Sequence, residues 1–138
     1  MMDFQQDQEV MEAFVDETRD RLVELETGIL HLEHLDGASV EEVVNEIFRA
    51  AHSVKAGAGL LKLHSMERLS HWLENILGRI RTGEIRPDAD LVTALLDGID
   101  VLRDLAENVP DCADVDVSEH MISLRDALEL ARARRRKV

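Results

Sequence analysis

A chain of 138 residues fits one domain and can bury a core without disulfides or metal staples. Hydrophobic residues make up 45% and charged residues 33%, and seven glycines, two prolines and no tyrosine leave little strand or turn material, which argues for helices. The formal charge is −13; the last seven residues hold five of the sixteen basic side chains, so residues 1–131 carry 11 basic against 29 acidic groups, an excess of acid that excludes the basic footprint of a nucleic-acid binder.

The N-terminus, Met1-Met2-Asp3-Phe4-Gln5-Gln6-Asp7, lacks the basic and apolar regions of a signal peptide. From about 7 to 34, Val10, Phe14, Val15, Leu22, Leu25, Ile29 and Leu32 recur at spacings of three and four, the stripe of an amphipathic helix. Asp36-Gly37-Ala38-Ser39 breaks the pattern, and Ser39 with Glu42 three residues on forms a capping box for a second helix over about 40–60. Its stripe is Val40, Val43, Val44, Ile47, Ala51, Val54, Ala58 and Leu61, and it closes in the small-residue run Ala56-Gly57-Ala58-Gly59. Ser65 is expected to cap a third helix that buries Leu69, Leu73, Ile76, Leu77 and Ile80 and stops at Thr82-Gly83, with Arg79 and Arg81 in its last turn.

Arg86-Pro87-Asp88 opens a fourth helix, about 88–108, carrying Leu91, Ala94, Leu95, Ile99, Leu102 and Leu105. After the break at Asn108-Val109-Pro110-Asp111 comes Cys112, the only cysteine, which has no internal partner and fits a reducing compartment. Ser118 is expected to cap a last helix, about 118–135, with Met121, Ile122, Leu124, Leu128 and Leu130 on its stripe. The basic tail reads as a helix end or a linker. No run approaches the roughly 20 apolar residues of a membrane span, so a cytoplasmic, membrane-free protein is expected. Short connections between long amphipathic segments favour antiparallel neighbours. The expected fold is all-α: one domain over 1–138, an antiparallel up-and-down four-helix bundle over about 7–108 with an additional fifth helix.

Six histidines are present, and one stands out. His31 and His34 read as solvated residues at a helix end, and His64 and His120 as surface residues near helix starts. His52 lies on a line Phe48–His52–Lys55–Gly59, spaced four, three and four, beside the core stripe rather than in it. Glycine lowers helix stability by about 1 kcal/mol relative to alanine, so Gly57 and Gly59 inside a helical pattern want a reason; close approach of another protein is one, fraying toward the loop another. The third helix carries a matching line, His71–Glu74–Gly78. If the two helices pack antiparallel the lines face each other, and Glu74 or His71 can fix the tautomer of His52 while its other nitrogen acts as a nucleophile. Lys55 then sits where a phosphoryl charge would arrive. Geometry alone leaves this reading open beside an ordinary ion-pair cluster.

The string Ile47-Phe48-Arg49-Ala50-Ala51-His52-Ser53-Val54-Lys55-Ala56-Gly57-Ala58-Gly59 closely resembles the phosphoacceptor helix of the histidine-phosphotransfer domain that begins CheA-type chemotaxis kinases. Leu69-Ser70-His71-Trp72-Leu73-Glu74-Asn75-Ile76-Leu77, then Arg81-Thr82-Gly83-Glu84-Ile85, resembles that family's next helix, and Phe14-Val15-Asp16-Glu17 its first. The resemblance spans about residues 10–108. It implies that His52 accepts a phosphoryl group from a kinase ATP-binding domain and passes it to an aspartate of a CheY- or CheB-like receiver domain. It implies that Lys55, His71 and Glu74 form the hydrogen-bonded surround, and that Ala56, Gly57 and Gly59 give partners access. The family usually has glycine in place of Ala56 and of Lys62; a methyl at 56 should leave docking intact, whereas Lys62 adds length and charge near the helix end.

No Gly-rich phosphate loop is present, so ATP and Mg²⁺ are expected from partner domains, with this chain a monomeric carrier rather than an enzyme by itself, as part of a histidine kinase. The alternatives are a free-standing phosphorelay carrier, an inert scaffold, and a metal-binding bundle using His52, His71 and Glu74. Against the metal stands Lys55, a cation beside the would-be cation, and the lack of a second carboxylate at ligand spacing.

Overall fold

The computed structural model describes the backbone of residues 4–32, 34 and 38–136, with side chains at 7–32, 34 and 40–134. Five helices account for nearly all of it: α1 (Phe4–Leu32), α2 (Ala38–Leu60), α3 (His64–Arg81), α4 (Ala89–Ala106) and α5 (Ser118–Arg136). The cap expected from the Ser39 side chain lies outside the described residues, and the helix already includes Ala38.

Pairs of residues in contact fix every direction. A Cβ added at Gly57 would stand 3.0 Å from the Phe14 ring, and one at Gly28 would strike Ile47, so α1 and α2 run antiparallel. The Phe48 ring sits over Gly78, and Lys55 reaches Glu74, so α2 and α3 do as well. Arg19 grips Glu107 through two 2.7 Å bonds, and Arg103 reaches Glu26 at 2.8 Å, so α4 returns antiparallel along α1 and closes the four-helix ring. Inside it Leu22, Leu25, Ile29, Ile47, Leu69, Leu73, Ile76, Leu77, Leu95 and Ile99 form one apolar core.

The fifth helix packs outside the ring, on α4 and α3. Leu124, Leu128 and Ala131 are buried there, and Gly98 gives Leu124 a flat seat. The expected stripe was too wide: Ile122 and Leu130 are 46% and 45% exposed, because a helix laid on an outer surface buries only one narrow face. Val10, expected in the core, is likewise exposed, lining a cleft with Leu60 and Pro110.

Helix ends show where local rules hold. Asp88 caps α4, accepting from the Leu91 amide at 2.9 Å. Ser65 does not cap α3. Leu63 stands at that position without a side-chain bond, while the Ser65 amide donates to the Ala113 carbonyl at 2.9 Å and its hydroxyl donates to that of Val115. Ser65 is thereby a buried fastener for the α4–α5 loop, and His64 adds a 3.0 Å contact to Asp114. Ser118 is not a cap either: the Met121 amide bonds back to Val117, and the Asp116 carboxylate accepts both the amide and the hydroxyl of Ser118. Those bonds hold the Asp116 carboxyl below its usual range.

Two helices end on left-handed caps. After α3, Gly83 has φ +80, and the amides of Glu84 and Gly83 return to the carbonyls of Arg79 and Ile80. After α2 the same pair of bonds is made by Leu63 to Ala58 and Lys62 to Gly59, with Lys62 at φ 59. Lysine thus occupies a position whose backbone favours glycine.

Candidate functional site

On the α2–α3 seam the two polar lines mesh rung by rung. Phe48, His52, Lys55 and Gly59 are spaced four, three and four; opposite them Gly78, Glu74, His71 and Glu67 descend by the same intervals. The aromatic ring of Phe48 fills the space a side chain at 78 would take, and the Arg81 guanidinium lies over the ring, 3.9 Å from its centroid. At the far end the Glu67 carboxylate occupies the space left by Gly59.

The middle rungs carry the chemistry. Glu74 is only 16% exposed, and its Oε2 lies 2.8 Å from Lys55 Nζ and 3.3 Å from His52 Nδ1. Burial pushes the Glu74 carboxyl up, but the bonds from Lys55 and His52 outweigh it and hold the group below its ordinary value. Glu74 is therefore a carboxylate at neutral pH and can only accept, so the bonded Nδ1 of His52 carries the proton. In the neutral form of the ring Nε2 then holds the lone pair, on a side chain 58% exposed. The result is an imidazole fastened on its inner nitrogen and largely exposed, with an ammonium one helical turn away.

The remaining expected residues fall unevenly. His71 is exposed and takes no side-chain hydrogen bond among the described residues; with Lys55, Arg68 and Trp72 it lines a shallow cleft of about 360 Å³ beside the Glu74 rung. Ala56 is exposed, one turn beyond His52. Gly57 and Gly59 have reasons inside the chain: Phe14 of α1 packs against the first and Glu67 of α3 lies over the second. Among the described residues no three His, Cys, Asp or Glu side chains gather closely enough to hold a metal ion, and a lysine takes up the Glu74 oxygen a metal would need. Sequence reasoning missed Glu67 and Arg81. The signal for Glu67 was there, since it extends the His71–Glu74–Gly78 line by the same four-residue step.

The family model described as the Hpt domain matches residues 9–134. The chain belongs to the Hpt domain family. The Hpt chain is 35% identical over 123 residues to the chemotaxis protein CheA of Rhizobium meliloti, covering 89% of this chain and 16% of that protein. It is 33% identical over 104 residues to the sensor histidine kinase CheAY of Helicobacter pylori, covering 75% of this chain and 13% of that one. It thus spans about a sixth or less of these curated relatives. Among solved structures, the phosphorylated P1 domain of CheA3 in complex with CheY6 from R. sphaeroides superposes with a TM-score of 0.76 at 26% identity, covering 89% of this chain and 98% of that chain. The solution structure of the histidine-phosphotransfer domain of CheA gives 0.74 at 33% identity, covering 88% and 90%. This is a histidine-phosphotransfer domain of the CheA type, and the helical bundle and family expected from the sequence both hold. Among the described residues no helix is long and apolar enough to cross a membrane.

Proposed function

We propose that His52 is the phosphoacceptor, and that the observation carrying this reading is the Glu74 carboxylate fastened to Nδ1 of a largely exposed imidazole. The Nε2 lone pair attacks the γ-phosphorus of ATP held with Mg²⁺ by a kinase domain, a P–N bond forms, and the bond to the ADP oxygen breaks. The ring now carries positive charge, which Glu74 accepts through the Nδ1 proton. In the second transfer an aspartate oxygen of a CheY- or CheB-like receiver domain attacks phosphorus, and the P–N electron pair returns to Nε2. Lys55, held by Glu74, contributes positive charge beside the arriving group, and His71 borders it. The chain acts as carrier between partners that bring the nucleotide and the metal, in the cytoplasm, as a monomeric module of a longer histidine kinase. The CheY6 complex of a structurally similar domain supports a receiver as the second partner.

Docking has a visible foothold. His52, Ala56 and Leu60 follow one another at four-residue steps on the outer face of α2, and Leu60 is 83% exposed. An apolar anchor two turns from the reacting nitrogen, with only a methyl between, leaves room for a receiver's active-site rim.

The test is labelling with γ-³²P ATP and a CheA-type kinase core that lacks its own phosphotransfer domain. Wild type should gain an acid-labile, base-stable phosphate, and His52→Gln should gain none. Full-stoichiometry labelling of His52→Gln overturns the assignment.

A further inference from the structure

Phosphorylation places about two negative charges on Nε2 of His52, and the surroundings must answer them. The imidazolium supplies one positive charge. Lys55, one turn C-terminal, is shared with Glu74 at 2.8 Å, so part of its charge is already answered. One turn N-terminal to His52 stands Arg49, exposed and with no hydrogen bond or salt bridge among the described residues. The other charged groups around it are few. Across the α1–α2 groove Glu24 is taken by Arg21 at 2.7 Å, with His31 two turns beyond; on α2 exposed Glu46 lies one turn from Arg49, on the side away from His52, and makes no salt bridge with it. On the α3 side Glu74 is occupied and His71 is exposed. Arg49 therefore has a charge to spend on the side of His52 that neither Glu74 nor Lys55 covers.

Resting on the phosphoacceptor reading above, we propose that Arg49 is a phosphate-positioning residue: its guanidinium closes on the phosphoryl oxygens once they are bonded to His52 Nε2. Residues three apart on a helix stand about 5–6 Å apart at Cβ, within reach of the long, planar arginine fork and its paired donors. The contact forms only in the phosphorylated state, so it stabilises the carrier's loaded form without ordering the empty one. On release to an aspartate the arginine is freed again.

The chain labelled with potassium phosphoramidate is suited to the test, because no partner is needed. The ³¹P signal of phospho-His52 is the one missing from His52→Gln, and its titration gives the second ionisation of the phosphoryl group. A nearby guanidinium favours the dianion, so Arg49→Ala should raise that ionisation by about 0.5 pH unit and Arg49→Lys should recover part of the shift. The label should also hydrolyse about two- to threefold faster in Arg49→Ala, the kinetic counterpart of a shift of that size. A purely structural arginine would not move the phosphorus titration. Labelled Arg49→Ala that titrates within 0.1 unit of wild type overturns the inference and leaves His52 as phosphoacceptor. Absence of any His52 signal in wild type overturns both.

Discussion

A carboxylate that is mostly buried yet held below its ordinary ionisation range needs hydrogen-bond donors, and Glu74 has two, Lys55 and His52. Replacing it with alanine removes the acceptor that fixes the Nδ1 proton and leaves Lys55 unpaired on a half-buried stem. A hydrogen bond to a charged group is worth about 1.5–3 kcal/mol, so Glu74→Ala should slow labelling of His52 by about 10- to 100-fold while far-UV circular dichroism stays that of a helical bundle. A rate equal to wild type would remove Glu74 from the mechanism. The sign of the pH effect follows from the lowered ionisation: the stabilisation Glu74 contributes is fully present above its unfolded value and disappears as pH falls through the still lower folded value. Across the neutral range the anchor therefore persists, and ¹⁵N spectra of His52 should show the Nδ1–H tautomer in wild type and a mixture in Glu74→Ala. The four-three-four spacing made this pairing legible in the sequence. It did not decide between Glu74 and His71, because residues one turn apart on the same face differ by a small rotation of the helix that only packing sets. Gly57 was legible as unusual and its reason was not: Phe14 lies 43 positions away, and no local pattern announces which ring will arrive.

The helices themselves were readable because their core stripes repeat at 3.6 residues over four or more turns, and the structure departs from the expected bounds mainly at the ends. Ends depend on who supplies the partner for the unbonded amides and carbonyls. Asp88, in the segment expected to open the fourth helix, supplies its own; Ser65 is bonded by carbonyls about 50 residues onward, which no cap rule can foresee. The end of α2 gives the clearest case of local chemistry working against the chain. Lys62 adopts φ 59 to make the two returning bonds that Gly83 makes after α3, and a side chain in that region costs roughly 1 kcal/mol or somewhat more. The lysine makes no ion pair among the described residues to offset it. Lys62→Gly should therefore raise the urea midpoint, by an amount equivalent to about 0.5 kcal/mol after the entropy glycine adds to the unfolded chain is subtracted. Labelling of His52 should be unchanged, since the cap lies beyond Gly59 and off the Glu74 rung. A lower midpoint would show that the lysine stem, rather than the backbone, dominates that turn.

At the scale of the whole molecule the basic tail and the fifth helix belong together. Arg132 reaches Glu84 at 3.2 Å, and Arg134 reaches Asp88 at 2.9 Å and Asp90 at 2.6 Å, so these arginines are spent on acids at the α3–α4 turn and the start of α4. The charge asymmetry legible in the sequence is thus partly an internal one, closed when α5 folds back; its partners were not legible, because they belong to a turn more than forty residues upstream. Two forces hold this helix, and their sizes differ. Exposed ion pairs contribute about 0–1 kcal/mol each and weaken with salt. Removing a buried leucine costs about 2–5 kcal/mol, the lower part of that range where the site can collapse. Leu124 is 1% exposed against the flat seat of Gly98, at the edge of the core, where some collapse is available. Leu124→Ala should accordingly lower stability by about 2–3 kcal/mol in urea. Arg134→Gln should lower it by less than about 1 kcal/mol, an effect that fades in 0.5 M salt. The seam that holds His52 lies between α2 and α3, so the Leu124 variant should still be labelled within about twofold of wild type at temperatures where it is folded. A proportionate loss of labelling and stability would instead make α5 part of the platform that keeps Glu74 under His52.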